Sequence, residues 1–249
     1  MAGHSKWANI RFRKERQDAQ RGKIFTKLIK EITVAARMGG GDPETNPRLR
    51  TAVQNAKAAN MPSKNIENAI LKGTGALPGV VYEEVTFEGY GPGGVALYIT
   101  TTTDNRNRTV AEIRHLLNKY GGNLGETGSV SWVFDKKGLI RVDRSKYDEE
   151  ELMIIAIDAG ADDFKVEDDY YEIYTVFEDL NKVRSALEEK GIEIKSAEMT
   201  MIPQSTVELD DQTAEKMLKL MEALEDSDDV QHVFANFEIS DEVMEKMES

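Results

Sequence analysis

The spacing of hydrophobic residues predicts helices at the start of the chain. In the segment DAQRGKIFTKLIKEITVAARMGGG, apolar side chains recur at helical spacing, at Ile24, Phe25, Leu28, Ile29 and Ile32. The glycines at 39–41 end this helix. Asn46 is the expected N-cap of a second helix, and Ser63 the expected cap of a third that ends at Gly73. Residues 1–76 are therefore predicted to form a small all-α domain.

From about residue 80, strand patterns alternate with helical ones. The segments VYEEVTFEGY and GGVALYITTTT are predicted strands joined through GYGPGG. The segment RTVAEIRHLLNKYGG is a predicted helix with a capping box of Thr109 and Glu112. Strands are also predicted at GSVSWVFD and GLIRVD. From GLIRVD to MTMIP the order is β-α-β-β-α-β, which is one ferredoxin-like unit.

The segments on either side of this unit supply the same elements again, which favours a second ferredoxin-like domain split by insertion of the first. The predicted fold class is a multidomain α+β protein with a small all-α N-terminal domain plus two ferredoxin-like α+β domains, one inserted into the other. The predicted boundaries are 1–76 for the basic helical domain, 80–134 and 204–240 for the split domain, and 135–203 for the inserted acidic domain.

Charge is distributed unevenly along the chain, whose net charge is −13. Residues 1–75 hold 15 basic and 6 acidic side chains, a balance of +9, which leaves 17 basic and 39 acidic side chains, or −22, for the rest. We call residues 1–75 the basic head and the remainder the acidic body. This distribution predicts a polyanionic partner for the basic head, because the acidic body repels nucleic acid.

Composition excludes several other classes. The chain has no cysteine, so disulfides, thiolate metal sites and a cysteine nucleophile are excluded, and a cytoplasmic location is expected. No apolar run approaches the roughly 18 residues of a transmembrane helix. Charged residues interrupt the N-terminus where a signal peptide carries its apolar region. No membrane partner is expected.

The sequence predicts no catalytic residue, metal site, cofactor or small-molecule substrate. GYGPGGV matches the G-x-G-x-x-G pattern, but a strand follows it where a dinucleotide site needs a helix, so a hairpin loop is predicted. The histidines His4, His115 and His232 lack metal-ligand spacing, and His115 is predicted to be structural within an apolar helix. No nucleophile is accompanied by a base, so an enzyme is not expected.

The opening segment, MAGHSKWANIRFRKERQDAQRGK, carries the strongest candidates for nucleic-acid contact. Its lysines and arginines, with Lys27 beyond it, can neutralise phosphates. Two interpretations of Trp7 stay open: stacking on a base, and packing on the protein.

A second candidate lies in TTTTDNRNRTVAEIR, where Arg106 and Arg108 are predicted in the loop before a helix N-terminus that favours an anion. Arg114 follows one and a half turns later. The alternative is that Asp104 and a capping Asn105 or Asn107 explain this loop without a ligand.

These segments resemble the YebC family. The resemblance rests on the opening MAGHSKWANIRFRKERQDAQRGKIFTKLIKEI, on NPRLRTAVQNAKAANMP, EGYGPGGVA, TTDNRNRT and GGNLGETGSVSWVF, and on LEDSDDVQHVFANFE. It spans almost the whole chain in family order. Bacterial members begin at the same MAGHSKW, which favours Met1 as the native start and argues against a mitochondrial presequence.

The resemblance implies a helical N-terminal domain and two α+β domains, one inserted in the other, in a cytoplasmic regulator of gene expression. The family is described mainly as DNA-binding transcriptional regulators. It includes the mitochondrial translational activator of cytochrome c oxidase, and members are linked to relieving ribosomes stalled on proline-rich stretches. The resulting nucleic-acid-binding set is His4, Ser5, Lys6, Trp7, Arg11, Arg13, Lys14, Arg16, Arg21, Lys23, Lys27, Lys30, Arg106 and Arg108.

Three functional hypotheses follow from these features. The first is a non-enzymatic, DNA-binding transcriptional regulator. The second is a ribosome-associated translation factor, whose RNA partners would be ribosomal RNA and tRNA. The third is a protein–protein adaptor with the acidic domain as its interface.

Overall fold

The computed structural model describes residues 21–239. The helices are α1 (Arg21–Gly39), α2 (Pro47–Ala58), α3 (Ser63–Gly73), α4 (Arg106–Lys119), α5 (Glu149–Ala159), α6 (Leu180–Glu189) and α7 (Asp211–Glu225). The strands are β1 (Glu83–Tyr90), β2 (Ala96–Thr103), β3 (Asn123–Leu124), β4 (Phe134–Asp143), β5 (Asp163–Val166), β6 (Tyr170–Val176), β7 (Ile194–Pro203), β8 (Val207–Glu208), β9 (Val230–Ala235) and β10 (Phe237–Glu238). The predicted fold class is confirmed: a helical N-terminal region accompanies two four-stranded sheets.

The chain divides into two compact units. Among the described residues, the first unit takes in 21–34, Pro78–Asp135 and 203–239. The second unit takes in Ala35–Leu77 and Lys136–Ile202. The helices of the N-terminal region are thus shared between the units, and a separate helical domain ending at residue 76 stays a prediction.

The first unit is built on a sheet of order β3-β1-β2-β9, whose paired strands are antiparallel. Its core combines Leu97 and Ile99 of β2 with Ile113 and Leu117 of α4, and with Met217 of α7. Burying these side chains removes apolar surface from water, at about 25 cal/mol per Å². One face of α4 is thereby fixed against the sheet.

The second unit contains the predicted ferredoxin-like succession β4-α5-β5-β6-α6-β7. Its sheet has the order β5-β6-β4-β7, and β6 is antiparallel to both β4 and β5. Strands β4 and β5 therefore run parallel with β6 between them, which is the split β-α-β arrangement. Apolar residues of α5 and α6 pack with Ile140, Val142 and Ile173 of the sheet.

Helix capping shows which local patterns the sequence encodes clearly. Asn46 caps α2 as predicted, because its side chain accepts a hydrogen bond from the Leu49 amide. The predicted Ser63 cap is wrong: Pro62 occupies the cap position without a side-chain hydrogen bond, and Ser63 is the first residue of α3.

The glycine-rich GYGPGG loop leads into strand β2 as predicted, through a short 3-10 turn at Pro92–Gly94.

The predicted strand at GSVSWVFD is wrong in its first part, because Ser131–Val133 forms a 3-10 turn and the strand begins at Phe134. The buried carboxylate of Glu88, on β1, accepts hydrogen bonds from the backbone amides of Gly128, Val130 and Ser131, each at 2.8 Å. Burial raises the pKa of Glu88, but these hydrogen bonds outweigh it and hold the pKa below its ordinary value. The amides of residues 130 and 131 are thus taken by Glu88 instead of a strand partner.

Candidate nucleic-acid interface

Three predicted contact residues, Lys23, Lys27 and Lys30, lie along one stripe of α1, because their spacing of four and three follows the helical repeat. Lys23 Nζ lies 2.9 Å from Asp226 Oδ1 in an exposed ion pair. Lys27 Nζ donates to the carbonyl oxygen of Glu225 at 2.9 Å. This carbonyl belongs to the last residue of α7, where the helix dipole favours a cation. The stripe therefore fixes α1 at the end of α7.

Lys30 lies deeper than the other two lysines, with only 6% of its surface exposed. Its ammonium group donates to Asp229 Oδ1 at 2.8 Å, to the Asp228 carbonyl at 2.7 Å, and to the Thr102 carbonyl at 3.1 Å. These three acceptors satisfy the three donors of the ammonium. Lys30 consequently stabilises the fold of the first unit, and a phosphate has no free donor to use on it.

The carboxylate of Asp229 is the centre of this cluster. It also accepts from Arg108 Nη2 and Thr109 Oγ1, both at 2.8 Å, and from Thr103 Oγ1 at 3.1 Å. Burial raises the pKa of Asp229, but the hydrogen bonds from Lys30, Arg108 and Thr109 outweigh it and hold the pKa at about 2. The group is therefore ionised at neutral pH and compensates the buried ammonium.

The two predicted arginines lie in the first turn of α4 and not in the preceding loop, because this helix begins at Arg106. The alternative that Asn105 caps the helix is confirmed, since its side chain accepts from the Arg108 amide at 3.1 Å. The predicted capping box is wrong: Thr109 lies inside α4 and donates to Asp229.

Arg108 and Arg106 differ in what their guanidinium groups contact. Arg108 Nη2 lies 2.7 Å from Asp104 Oδ1 and 2.8 Å from Asp229 Oδ2, and the hydrogen bonds to Asp229 and then Asp104 raise its pKa above its ordinary value. A phosphate would have to compete with both carboxylates for this side chain. Arg106 is exposed and forms no ion pair with any residue between 21 and 239.

The other predicted contact residues lie outside the described side chains. These are His4, Ser5, Lys6, Trp7, Arg11, Arg13, Lys14, Arg16 and Arg21, of which Arg21 begins α1. The nucleic-acid-binding role of the whole set, and the two interpretations of Trp7, stay predictions.

Asp229 is the residue of this cluster that sequence reasoning missed. It lies in the acidic segment EDSDDV, where nothing local separates it from its neighbours, and its partner Lys30 is 199 positions away.

His115 also differs from its prediction. It is exposed on α4 instead of structural, because the apolar positions of this helix, Ile113 and Leu117, point the other way. In the described part of the chain, no group of three or more His, Asp or Glu side chains has the arrangement of a metal site.

Together these observations define a mixed α+β protein whose basic N-terminal helix α1 is held by the buried Lys30–Asp229 ion pair and by the contacts of Lys23 and Lys27. The chain belongs to the TACO1/YebC family: the model of the TACO1/YebC protein N-terminal domain matches residues 5–76, and that of the second and third domain matches residues 82–237. No helix within residues 21–239 has the length and apolar character needed to span a membrane.

Relatives match over the full length. Proteins named probable transcriptional regulatory proteins are 58% identical in a Sulfurihydrogenibium species, over 100% of both chains, and 59% identical in Thermotoga maritima, over 99% of this chain and 98% of the relative. The crystal structure of a conserved hypothetical protein from Aquifex aeolicus is 55% identical, with a TM-score of 0.86 over 90% of this chain and 93% of that chain.

Proposed function

We propose that this chain is a non-enzymatic, cytoplasmic regulator of gene expression that binds DNA through its basic N-terminal segment. The observation that carries the proposal is the charge segregation, +9 over residues 1–75 against −22 over the remainder. Phosphate neutralisation supplies most of the affinity of such proteins for nucleic acid, and an acidic body confines binding to the basic head.

The described contacts support this assignment because they hold α1, the helix that follows the opening segment in sequence, against the first unit. The segment joins α1, and α1 is tied to the first unit by Lys23, Lys27 and Lys30. We assign direct phosphate contact to Arg106 and to the basic side chains from Lys6 to Arg21. Lys30 and Arg108 act mainly by holding α1 and α4 in place.

The names of the relatives favour the same class. The relatives in Sulfurihydrogenibium, Halothermothrix orenii and Thermotoga maritima are all named as regulators and none as an enzyme. We extend that role to this chain because the identity of 58–59% covers nearly all of it.

The test is the salt dependence of binding to a mixed-sequence duplex. For the variant Arg11→Ala, Arg13→Ala, Lys14→Ala and Arg16→Ala, the slope of log K against log salt is expected to be less steep by about 3.6, since each phosphate contact contributes about 0.9. The matched control replaces four exposed lysines of the acidic body by alanine: Lys182, Lys190, Lys216 and Lys219. Equal slopes for the two variants would place the DNA contact outside the opening segment.

Two alternative functions remain as proposals. Phosphate contacts from a basic segment serve RNA as well as DNA, so a ribosome-associated translation factor is the first alternative.

The protein-adaptor alternative is favoured by α5, where Ile154 is 61% exposed and Ile157 is 59% exposed. Glu150 and Asp158 lie on the same outward face. Such a surface suits a partner that is both apolar and basic.

A further inference from the structure

Helix α4 carries all the positive charge of a long stretch of the chain. Residues 78–135 contain seven acidic side chains and only four basic ones. The four are Arg106, Arg108, Arg114 and Lys119, and all of them lie on α4. With Glu112 as its only acidic residue, this helix has a formal charge of +3 in an acidic body.

The two faces of α4 have different roles. Thr109, Ile113 and Leu117 are buried against the core of the first unit. The opposite side, which we call the α4 outer face, consists of the exposed residues Asn107, Ala111, Arg114, His115, Asn118 and Lys119. Four of these residues form a straight row at positions i, i+4, i+7 and i+11, namely Asn107, Ala111, Arg114 and Asn118. The row is about 16 Å long at 1.5 Å per residue.

The polar side chains of this row are available for a ligand, unlike two basic side chains of α4 that lie outside the row. Of these two, Arg108 forms ion pairs with Asp104 and Asp229, and Lys119 Nζ lies 5.2 Å from the centre of the Tyr120 ring. In contrast, the side chains of Asn107, Arg114 and Asn118 form no hydrogen bond or ion pair with any residue from 21 to 239. One guanidinium and two amides therefore face solvent together, with the small side chain of Ala111 between them.

We infer that the α4 outer face contacts duplex DNA in the major groove, an inference that rests on the proposed DNA-binding function. The major groove, about 12 Å wide, admits an α-helix. Arginine pairs with guanine there, asparagine with adenine, and an alanine methyl group with the methyl group of thymine. A small residue at the centre of the row lets the helix approach the base edges closely. Duplex RNA is a poorer match because its major groove is deep and narrow.

The charge of the surface is tested with the variant Arg114→Gln, Lys119→Gln in the full-length protein. Against a fluorescein-labelled, mixed-sequence DNA duplex of about 24 base pairs, the slope of log K against log salt is expected to be less steep by about 0.9, for the one phosphate contact of Lys119, because Arg114 is assigned to a base edge. The control variant Lys216→Gln, Lys219→Gln removes the same charge from exposed positions of α7 in the same unit and is expected to bind like the wild type.

A second readout tests the groove contact itself. In enrichment from a random-sequence duplex pool, Asn107→Ala with Asn118→Ala is expected to weaken the base preference of the wild type while leaving the salt slope unchanged, because neutral amides release no counterion. An unaltered preference would overturn the major-groove contact.

The outcomes separate this inference from the function on which it rests. If the variant Arg114→Gln, Lys119→Gln keeps the wild-type slope while the four-residue variant of the opening segment does not, the inference falls and the proposed function stands. If the wild type shows no affinity for the duplex at low salt, both fall. Binding through Arg114 and Lys119 to single-stranded RNA but not to the duplex would also overturn the inference.

Discussion

Replacing Asp229 by alanine is expected to lower the free energy of unfolding by about 3–5 kcal/mol. The substitution leaves the ammonium group of Lys30 in a site where its side chain is 8% exposed, without the carboxylate that compensates it. Removing one partner of a buried ion pair has a cost of this size because the remaining charge stays desolvated. Arg108 and Thr109 lose an acceptor at the same time. Urea unfolding of the full-length protein measures the difference.

The matched control is Asp226→Ala, which removes the partner of Lys23 three residues earlier. In that pair the side chains are 46% and 60% exposed, so a loss of only about 0–1 kcal/mol is expected. Similar losses for the two variants would show that the Asp229 cluster does not stabilise the fold as described. The paired variant Lys30→Met, Asp229→Leu should recover much of the loss, since replacing both partners leaves no buried charge.

The contribution of Asp229 depends on pH in a defined direction. Its pKa falls from an ordinary value of 3.8 to about 2 in the folded chain. The stabilisation is fully present above about pH 3.8 and is lost as the pH falls through about 2. The stability difference between wild type and Asp229→Ala is therefore expected to narrow in this window, and a constant difference down to pH 2 would contradict the lowered pKa.

Replacing Arg141 by alanine is expected to destabilise the second unit by a similar amount, about 3–5 kcal/mol. Arg141 Nε donates to Glu172 Oε1 at 3.0 Å, and its Nη1 donates to Glu198 Oε1 at 2.7 Å. Glu172 Oε2 accepts from the Tyr174 hydroxyl at 2.6 Å. Because Glu172 is only 2% exposed, the variant leaves a carboxylate buried without its guanidinium partner.

Lys146→Ala provides the control within the same unit. Its ion pair with Glu193 joins side chains that are 42% and 56% exposed, so its loss is expected to destabilise the unit far less than the loss of Arg141. Amide hydrogen exchange locates the effect, with faster exchange expected in β4 and β6 for the Arg141 variant. A loss below 1 kcal/mol at neutral pH would contradict the assigned role.

Patterns that are local in sequence predicted the fold well. The alternation from GLIRVD to MTMIP predicted the ferredoxin-like succession, because each strand and helix buries one face of its own segment. Asn46 was predictable as a cap because its partner, the Leu49 amide, lies three residues away. In the same way, glycine-rich hairpins are set by a few adjacent residues.

Three of the errors arise where a group distant in sequence bonds to a residue that the local pattern assigns to a nearby partner or to the surface. Thr109 and Glu112 form an acceptable capping box by spacing, but the buried Asp229 takes the Thr109 hydroxyl, and Asn105 caps the helix instead. Likewise Glu88 takes the amides that a strand at residues 130–131 would need. Lys30 was grouped with the surface lysines because its sequence neighbourhood resembles theirs, and it differs from them only in acceptors that are distant in sequence, on Thr102, Asp228 and Asp229.

DNA binding through the basic N-terminal segment is distinguished from ribosome binding by co-sedimentation with ribosomes at physiological salt in the presence of excess competitor duplex DNA. Full-length protein is compared with a variant lacking residues 2–23. We expect the full-length protein to stay in the supernatant or to be removed from ribosomes by the duplex. Pelleting that requires residues 2–23 and survives the competitor would contradict this expectation, and would make the chain a translation factor for which DNA binding is incidental.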